Sequence, residues 1–540
     1  MPFALIALSF LLESGLNKGD LFWNLSQQER LRALRRWRMS RWGFRRDFYR
    51  FFDGLTTAAS VADFSSSSPS ALADANSLAL NAVDVFESEL HCECLVIGTG
   101  PGGAVTAATL AEGGRQVMII EEGPSLAQNS AEAFSLSEIN QKYRNGGLTF
   151  AFGHPRVTYA EGRCVGGGSE INAGLYHRTP PEILEKWRRE FSVEGLEPTI
   201  MEHCFAESER QLGLSSIESH FDFVSQKLAS GAERLGVGCV ELPMFARVSA
   251  PGGGSRVVRR PMSQSYLPRA IMAGAKLHAN ARALSILRTG NKWRVRCQVK
   301  DKKEIAIYAE NVFIAAGAVQ TPALLRRSGF TQNIGNSLQM HPSLKVLAEF
   351  DHEINSPEML VAPAQVKDRH AHLSFGCSVS SPPHLALAQF NSCESSDRLR
   401  ESWRRSALYY VSLSDGMSRG VVRVIPGLRD SVLRYRLEPD DLRRLTGGLG
   451  RLSQIVKEAG AIRVSSAAKD VGLMSAHLFS SCPMGENKEI CATDSFGRIH
   501  DQQGLFIADA SLLCSAPGVN PQGSIMAIAH RNALHYLGKV

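Results

Sequence analysis

At 540 residues the chain is long enough to bury a large core and to form two or more domains. Hydrophobic residues make up 44% and charged residues 21%, with a net charge of +7, which is the balance of a globular protein and excludes a disordered or collagen-like chain. No zinc finger, basic zipper or aromatic-rich binding sheet accompanies the mild positive charge, so no nucleic-acid partner is expected.

The eleven cysteines are scattered, with no C-x-x-C or Cys/His spacing. Reduced thiols in a cytoplasmic core are expected, and no metal site. Met1–Leu12 is largely apolar, but Glu13 ends the run. It is too short to span a bilayer and lacks the basic start of a secretory signal.

Ser26-Gln-Gln-Glu29 has the spacing of a capping box and opens a helix. Behind it Arg30, Arg32, Arg35, Arg36, Arg38 and further arginines to Arg50 alternate with Leu31, Leu34, Trp37, Trp42, Phe44 and Phe48. Such a segment, within residues 1–52, either rests peripherally on an anionic membrane surface or docks on the protein's own body. Residues 65–77, rich in Ser and Ala, read as a linker.

The most informative stretch runs from Cys94 to Gly123. Leu95, Val96 and Ile97 form the apolar run of a strand buried on both faces. Gly98, Gly100 and Gly103 then fill a G-x-G-x-x-G frame: the first allows a sharp turn, the second a close approach to a pyrophosphate, the third tight packing of helix on strand. Gly113-Gly114 ends the helix, and Val117–Ile120 is a second strand. Glu121 follows, about 20 residues past the turn, where an acid accepts hydrogen bonds from a ribose diol and disfavours a 2′-phosphate. Strand, turn, helix, strand and acid together predict a dinucleotide site; they do not choose between FAD and NAD.

Gly166, Gly167 and Gly168, three in a row, suggest backbone passing close to a flat ligand. Thr179-Pro-Pro-Glu182 has the pattern of another capping box. Lys276–Leu287 reads as a strand, Trp293–Lys300 with Glu304–Ala309 as a hairpin, Asn311–Ala316 as a further buried strand, and Asp440–Ala459 as a helix. Leu408–Leu413 and Val421–Ile425 are strand-like and suit an antiparallel sheet walling a substrate site. Ser524–Leu537 has helical spacing, with Pro521 at its start.

Four ordered blocks carry a family resemblance. Gly162-Arg163-Cys164-Val165-Gly166-Gly167-Gly168-Ser169, with Ile171 and Asn172 after it, resembles the first signature of the glucose–methanol–choline (GMC) oxidoreductases. Ala316–Gly329 resembles the second, Asn333–Pro342 the segment after it, and residues 477–540 the C-terminal block. The triple glycine and the basic N-terminal helix are more similar to the long-chain alcohol oxidase and cholesterol oxidase branches than to the sugar oxidases.

The resemblance implies an α/β fold: a Rossmann-like FAD-binding domain, a second substrate domain built on an antiparallel sheet, and a helical N-terminal extension. It places the extension at 1–89, the FAD-binding parts at 90–180, 251–342 and 471–540, and the substrate parts at 181–250 and 343–470. It implies FAD as cofactor, contacted by the glycine frame, Glu121, Gly162, Arg163, Val165, Gly166–Gly168, Asn172, Ala283 at the adenine, Asp509 and Ala510 beside the flavin, and the helix beginning at Pro521. Ile171 stands where some branches attach the flavin through a histidine, so a non-covalent FAD is expected.

The resemblance also makes His477 and Asn520 the catalytic pair. His477 takes a proton from an alcohol as hydride leaves its carbon, and Asn520 holds the substrate oxygen. Two plainer readings stand beside this: His477 as a structural histidine, and Asn520 as the cap of the helix at Pro521. The partners expected are a small-molecule alcohol, favoured as long-chain or sterol-like, and oxygen or another electron acceptor. A lyase or decarboxylase of the same fold, or a membrane-associated protein with structural flavin, are the alternatives.

Overall fold

A computed structural model describes residues 25–41, 80 and 87–540, apart from 128–129, 132–133, 148, 154, 215–222, 250–255, 300–302, 357–362, 369–370, 389–395 and 467–472. The apolar run before the glycine frame is the central strand, Glu89–Ile97, of a sheet with seven strands among these residues. Val117–Ile120 and then Lys276–His278 lie parallel on one side of it, and Glu304–Ile314 lies parallel on the other. The far edge of Glu304–Ile314 is shared: its first half pairs antiparallel with Lys292–Gln298, and its second half pairs parallel with Leu505–Ile507. Leu95 and Val96 are wholly buried, as a parallel strand covered on both faces must be.

The turn after the central strand is sterically forced. Gly98 has φ +107°, and a Cβ there would stand 2.3 Å from the Ala315 carbonyl oxygen. Gly103, one turn into the helix Pro101–Glu112, would put a Cβ 2.1 Å from the Gly98 oxygen. Helix and strand therefore touch backbone to backbone. The C-terminal helix Gln522–Tyr536 packs on Pro101–Glu112, bringing the end of the chain to the glycine turn.

A second sheet, mostly antiparallel, has nine strands among the described residues. Its centre is Ser343–Glu349 against Ser406–Leu413, followed by Leu373–Cys377 and Ala364–Asp368. The helix Pro439–Glu458 packs on it through Leu445, Leu449, Leu452 and Ile455.

Several local expectations change. The hairpin strand at Glu304 and the buried strand at Asn311 are one continuous strand, Glu304–Ile314. The strand expected over Lys276–Leu287 breaks at Asn280, which takes φ +56°, into Lys276–His278 and Arg282–Thr289. Thr179 does not cap the helix Pro181–Phe191; its hydroxyl instead donates to Ser524 Oγ at 2.6 Å. The box at Ser26 does form, with Ser26 N–H on Glu29 Oε2 at 3.0 Å and Glu29 N–H on Ser26 Oγ at 3.4 Å. On the helix it opens, Gln27–Arg38, Ala33 and Trp37 are buried and the arginines exposed. The apolar start, Trp42–Phe48 and the 65–77 linker lie outside the described residues. No helix among the described residues is long and apolar enough to cross a membrane.

Candidate active site

A cavity of about 480 Å³ is lined at one end by the glycine turn and at the other by the second sheet. Of the residues singled out from the sequence, Gly98, Gly100, Glu121, Gly162, Gly167, Gly168, Asn172, Ala283, His477, Asp509, Ala510, Asn520 and Pro521 all line it. Gly103, Arg163, Val165 and Gly166 do not. Gly103 packs helix on strand, Val165 is buried in the core, Arg163 Nε lies 3.4 Å from Glu122, and Gly166 N–H donates to Thr99 Oγ1 at 3.0 Å. These four support the wall from behind.

The nucleotide end leaves room along its backbone for a bound dinucleotide. Gly100, Gly168 and Gly317 border the cavity, and a Cβ added to any of them would meet no atom within 4 Å. The backbone there faces room, not packing. The first turn of Pro101–Glu112, whose amides lack intrahelical acceptors, opens at the same place.

Glu121 is buried, which raises its pKa. It accepts from Thr99 Oγ1 at 2.7 Å, Thr99 N–H at 3.1 Å and Gly123 N–H at 2.9 Å. The next residue, Glu122, was not singled out from the sequence. Burial works against its charge, but Arg144, with Nη2 2.7 Å from Oε2, and Arg282 and Arg163 hold its pKa down to about 2. Arg144 is itself buried and also donates to Glu161 at 2.9 Å.

Asp509 accepts from Gly317 N–H at 2.8 Å, Ser511 N–H at 2.8 Å and Ser511 Oγ at 2.6 Å, and from the Thr321 hydroxyl. It pins the Ala316–Gly317 turn beside the strand end that carries Ala510.

At the other end, His477 Nδ1 lies 3.1 Å from His341 Nδ1, and His341 packs edge-to-face on Phe479 with centroids 4.7 Å apart. Burial depresses both rings, His477 to about 4 and His341 well below the ordinary value. Both are therefore neutral near pH 7. His341 lay inside a recognised block but carried no spacing of its own to mark it.

Asn520 does not cap the helix. The helix starts at Gln522, its N-cap is Pro521, and no side chain caps it. The Asn520 amide makes no hydrogen bond to a described residue. It is Asn172 that reaches this helix start, with Nδ2 2.6 Å from Gln522 Oε1.

The depressed histidines set an acid limit. A ring whose folded pKa lies below about 6.5 stabilises the fold fully above that pH and loses the contribution as pH falls toward the folded value. His177, lowered to about 3 by burial, belongs with His477 and His341. Between about pH 7 and about pH 5 His477 and His177 should each forfeit roughly 2 kcal/mol, and His341 adds to the loss in the same direction. Urea midpoints should fall steadily across that interval; midpoints that do not move would show that these rings already titrate normally in the folded chain.

Taken together, these features define the class: a Rossmann-like dinucleotide-binding fold sharing one cavity with a mostly antiparallel sheet. The GMC oxidoreductase family is matched over residues 139–343 by its N-terminal part and over residues 418–529 by its C-terminal part. An uncharacterized GMC-type oxidoreductase of Sinorhizobium fredii is 32% identical over 487 residues, spanning 83% of this chain and 95% of that protein. A long-chain-alcohol oxidase of Arabidopsis thaliana is 25% identical over 511 residues, spanning 82% of this chain and 68% of that one. The crystal structure of pyridoxine 4-oxidase from Mesorbium loti matches with a TM-score of 0.67 at 17% identity, over 82% of this chain and 99% of that chain, a likeness of fold. The chain belongs to the GMC oxidoreductase family, which is flavin-dependent, and it is an oxidoreductase.

Proposed function

We propose that the protein binds FAD non-covalently and oxidises the CH–OH group of an alcohol with an apolar body, long-chain or sterol-like, to an aldehyde or ketone. The carrying observation is that His477 and Asn520 line one cavity with the glycine turn and that neither side chain is tied up elsewhere in a way that excludes chemistry. Likeness to a long-chain-alcohol oxidase supports the apolar body. Ile171, in the cavity wall, offers no atom for a covalent flavin link.

Bound FAD supplies the hydride acceptor, N5 of its ring system. The chain supplies the rest. His477, neutral at rest, accepts the hydroxyl proton at Nε2 as the carbon gives up hydride. For Nε2 to be bare, Nδ1 carries the hydrogen and donates it to His341 Nδ1. This places the His341 hydrogen on its buried Nε2, which has no hydrogen-bond partner among the described residues. The reverse arrangement, with His341 Nδ1–H donating to His477 Nδ1, suits the resting rings better, so the bare Nε2 of His477 is the tautomer that the substrate hydroxyl selects. The Asn520 amide, free of other partners, donates to the substrate oxygen and orients its carbon.

The test is anaerobic bleaching of the flavin absorbance across sugars, short alcohols, fatty alcohols and sterols. Bleaching is expected with fatty alcohols or sterols; a flavin that stays oxidised with every alcohol rejects the reading. Peroxide formation in air distinguishes oxygen from another acceptor.

A further inference from the structure

The substrate half of the cavity contains a cation that no described residue neutralises. Lys345 sits on the strand Ser343–Glu349 and lines the cavity. Its ammonium makes no hydrogen bond or ion pair with any described residue. Every carboxylate in the cavity wall is engaged elsewhere: Glu121 with Thr99 and Gly123, Glu122 and Glu161 with Arg144, Asp509 with Gly317 and Ser511. The titratable ring acting on Lys345, His384, is held neutral by burial, with its pKa lowered to about 3. Burial alone lowers the Lys345 pKa to about 8, the response of an amine that lacks a counter-ion. The wall around it mixes apolar residues, among them Val379, Phe134 and Met474, with uncharged hydroxyls of Ser343, Ser378 and Ser412, and a buried ammonium there is costly until a ligand supplies the missing charge.

A hydrogen-bond donor stands beside it. Tyr410 is the direct cross-strand partner of Lys345, so the two side chains leave the same face of the sheet as neighbours. Tyr410 also lines the cavity. Its oxygen already accepts from Gln365 Nε2 at 3.0 Å, and Gln365 Oε1 lies 3.2 Å from His177 Nε2. His177 Nδ1 is buried without a partner. A bare nitrogen is tolerated there more cheaply than an orphaned N–H, so the hydrogen sits on Nε2 and donates to Gln365. The chain then runs one way, from His177 through Gln365 to Tyr410, and leaves the Tyr410 hydroxyl hydrogen to point into the cavity.

Resting on the alcohol-oxidation reading, we propose that Lys345 and Tyr410 form a carboxylate subsite, and that the substrate is a hydroxy acid: an apolar chain with its hydroxyl at His477 and a carboxylate at Lys345. One ammonium and one hydroxyl match a singly charged carboxylate better than a doubly charged phosphate. Lys345 lies four residues beyond His341, so the backbone between them spans at most about 13 Å. An ω-hydroxy acid of moderate length bridges such a span.

The experiment uses the holoenzyme and ω-hydroxy acids from butanoate to dodecanoate, each paired with its methyl ester. At the preferred length the acid should exceed its ester in kcat/KM by about 10- to 100-fold, mainly through KM. Lys345→Met should bring that ratio to near one, Lys345→Arg should restore part of it, and Tyr410→Phe should lower it several-fold. A purely structural role would depress acid and ester together and leave the ratio alone, which would overturn the proposal, as would a wild-type protein that prefers the esters. The second readout needs no turnover: octanoate should raise the melting temperature of the wild-type holoenzyme and not of Lys345→Met. If no compound bleaches the flavin yet octanoate still discriminates the two, the alcohol reading fails and the anion site stands. If octanoate shifts neither, the anion site fails.

Discussion

Replacing His477 with Ala should lower the rate of flavin reduction by roughly 10²-fold or more while FAD stays bound. The two halves of that statement come from different parts of the molecule. His477 is on the short strand-and-loop segment after Met474–Ser475, where Ser475 Oγ donates to the His477 carbonyl at 2.7 Å and His341 N–H donates to the same oxygen at 3.3 Å. Its backbone is thus fixed by main chain and by Ser475, and truncating the ring leaves those bonds in place. The nucleotide cradle is built by other residues altogether. The loss should therefore fall on the chemical step. Because burial holds the ring near pKa 4, the wild-type rate should be flat above about pH 5 and fall only as pH drops through the folded value, where Nε2 becomes protonated and ceases to accept. Added imidazole should restore part of the rate in His477→Ala by refilling the space. Near-normal reduction in the variant, or no response to imidazole together with loss of FAD, removes His477 from the chemistry.

What could be read from the sequence divides along a physical line. Between Cys94 and Gly123 the predicted strand, turn, helix and strand match the structure nearly residue for residue, because each is decided locally: an apolar run, a glycine with a left-handed turn, a Gly-Gly stop. Thr179 shows the opposite case. Its pattern is that of a cap, yet Ser524, 345 residues away, takes the hydroxyl, and no local rule reveals that competitor. Glu122 and Arg144 are 22 residues apart, and His341 and His477 are 136 apart; both pairs exist only after the chain has folded. Lys345 is the clearest example. A lysine within Ser-Leu-Lys-Val-Leu-Ala reads as a solvent-facing break in an apolar strand. Only the register that sets it opposite Tyr410, and the cavity on that face, turns it into a feature of the site.

Replacing Gly100 with Val should leave a folded protein that no longer holds FAD. Gly100 has φ −63° and ψ −179°, extended backbone open to any residue, so the substitution carries no conformational strain. A Cβ there meets no protein atom within 4 Å, so it does not disturb the core. What it enters is the cavity at the start of Pro101–Glu112, where the amides that would receive a pyrophosphate are presented. Affinity for FAD should fall by at least about 100-fold, or about 2.7 kcal/mol, with little change in melting temperature of the apoprotein. Gly102, two residues on, supplies the contrast: a Cβ there would lie 1.9 Å from the Ala508 oxygen, so Gly102→Ala should lower the melting temperature of the apoprotein itself, as packing on the strand end before Asp509 is lost. The flavin-to-protein absorbance ratio after purification with excess FAD, read beside apoprotein melting curves, separates the two. A Gly100→Val protein that keeps its full complement of flavin would mean that the dinucleotide does not pass this turn, and the assignment of the whole cradle would fall with it.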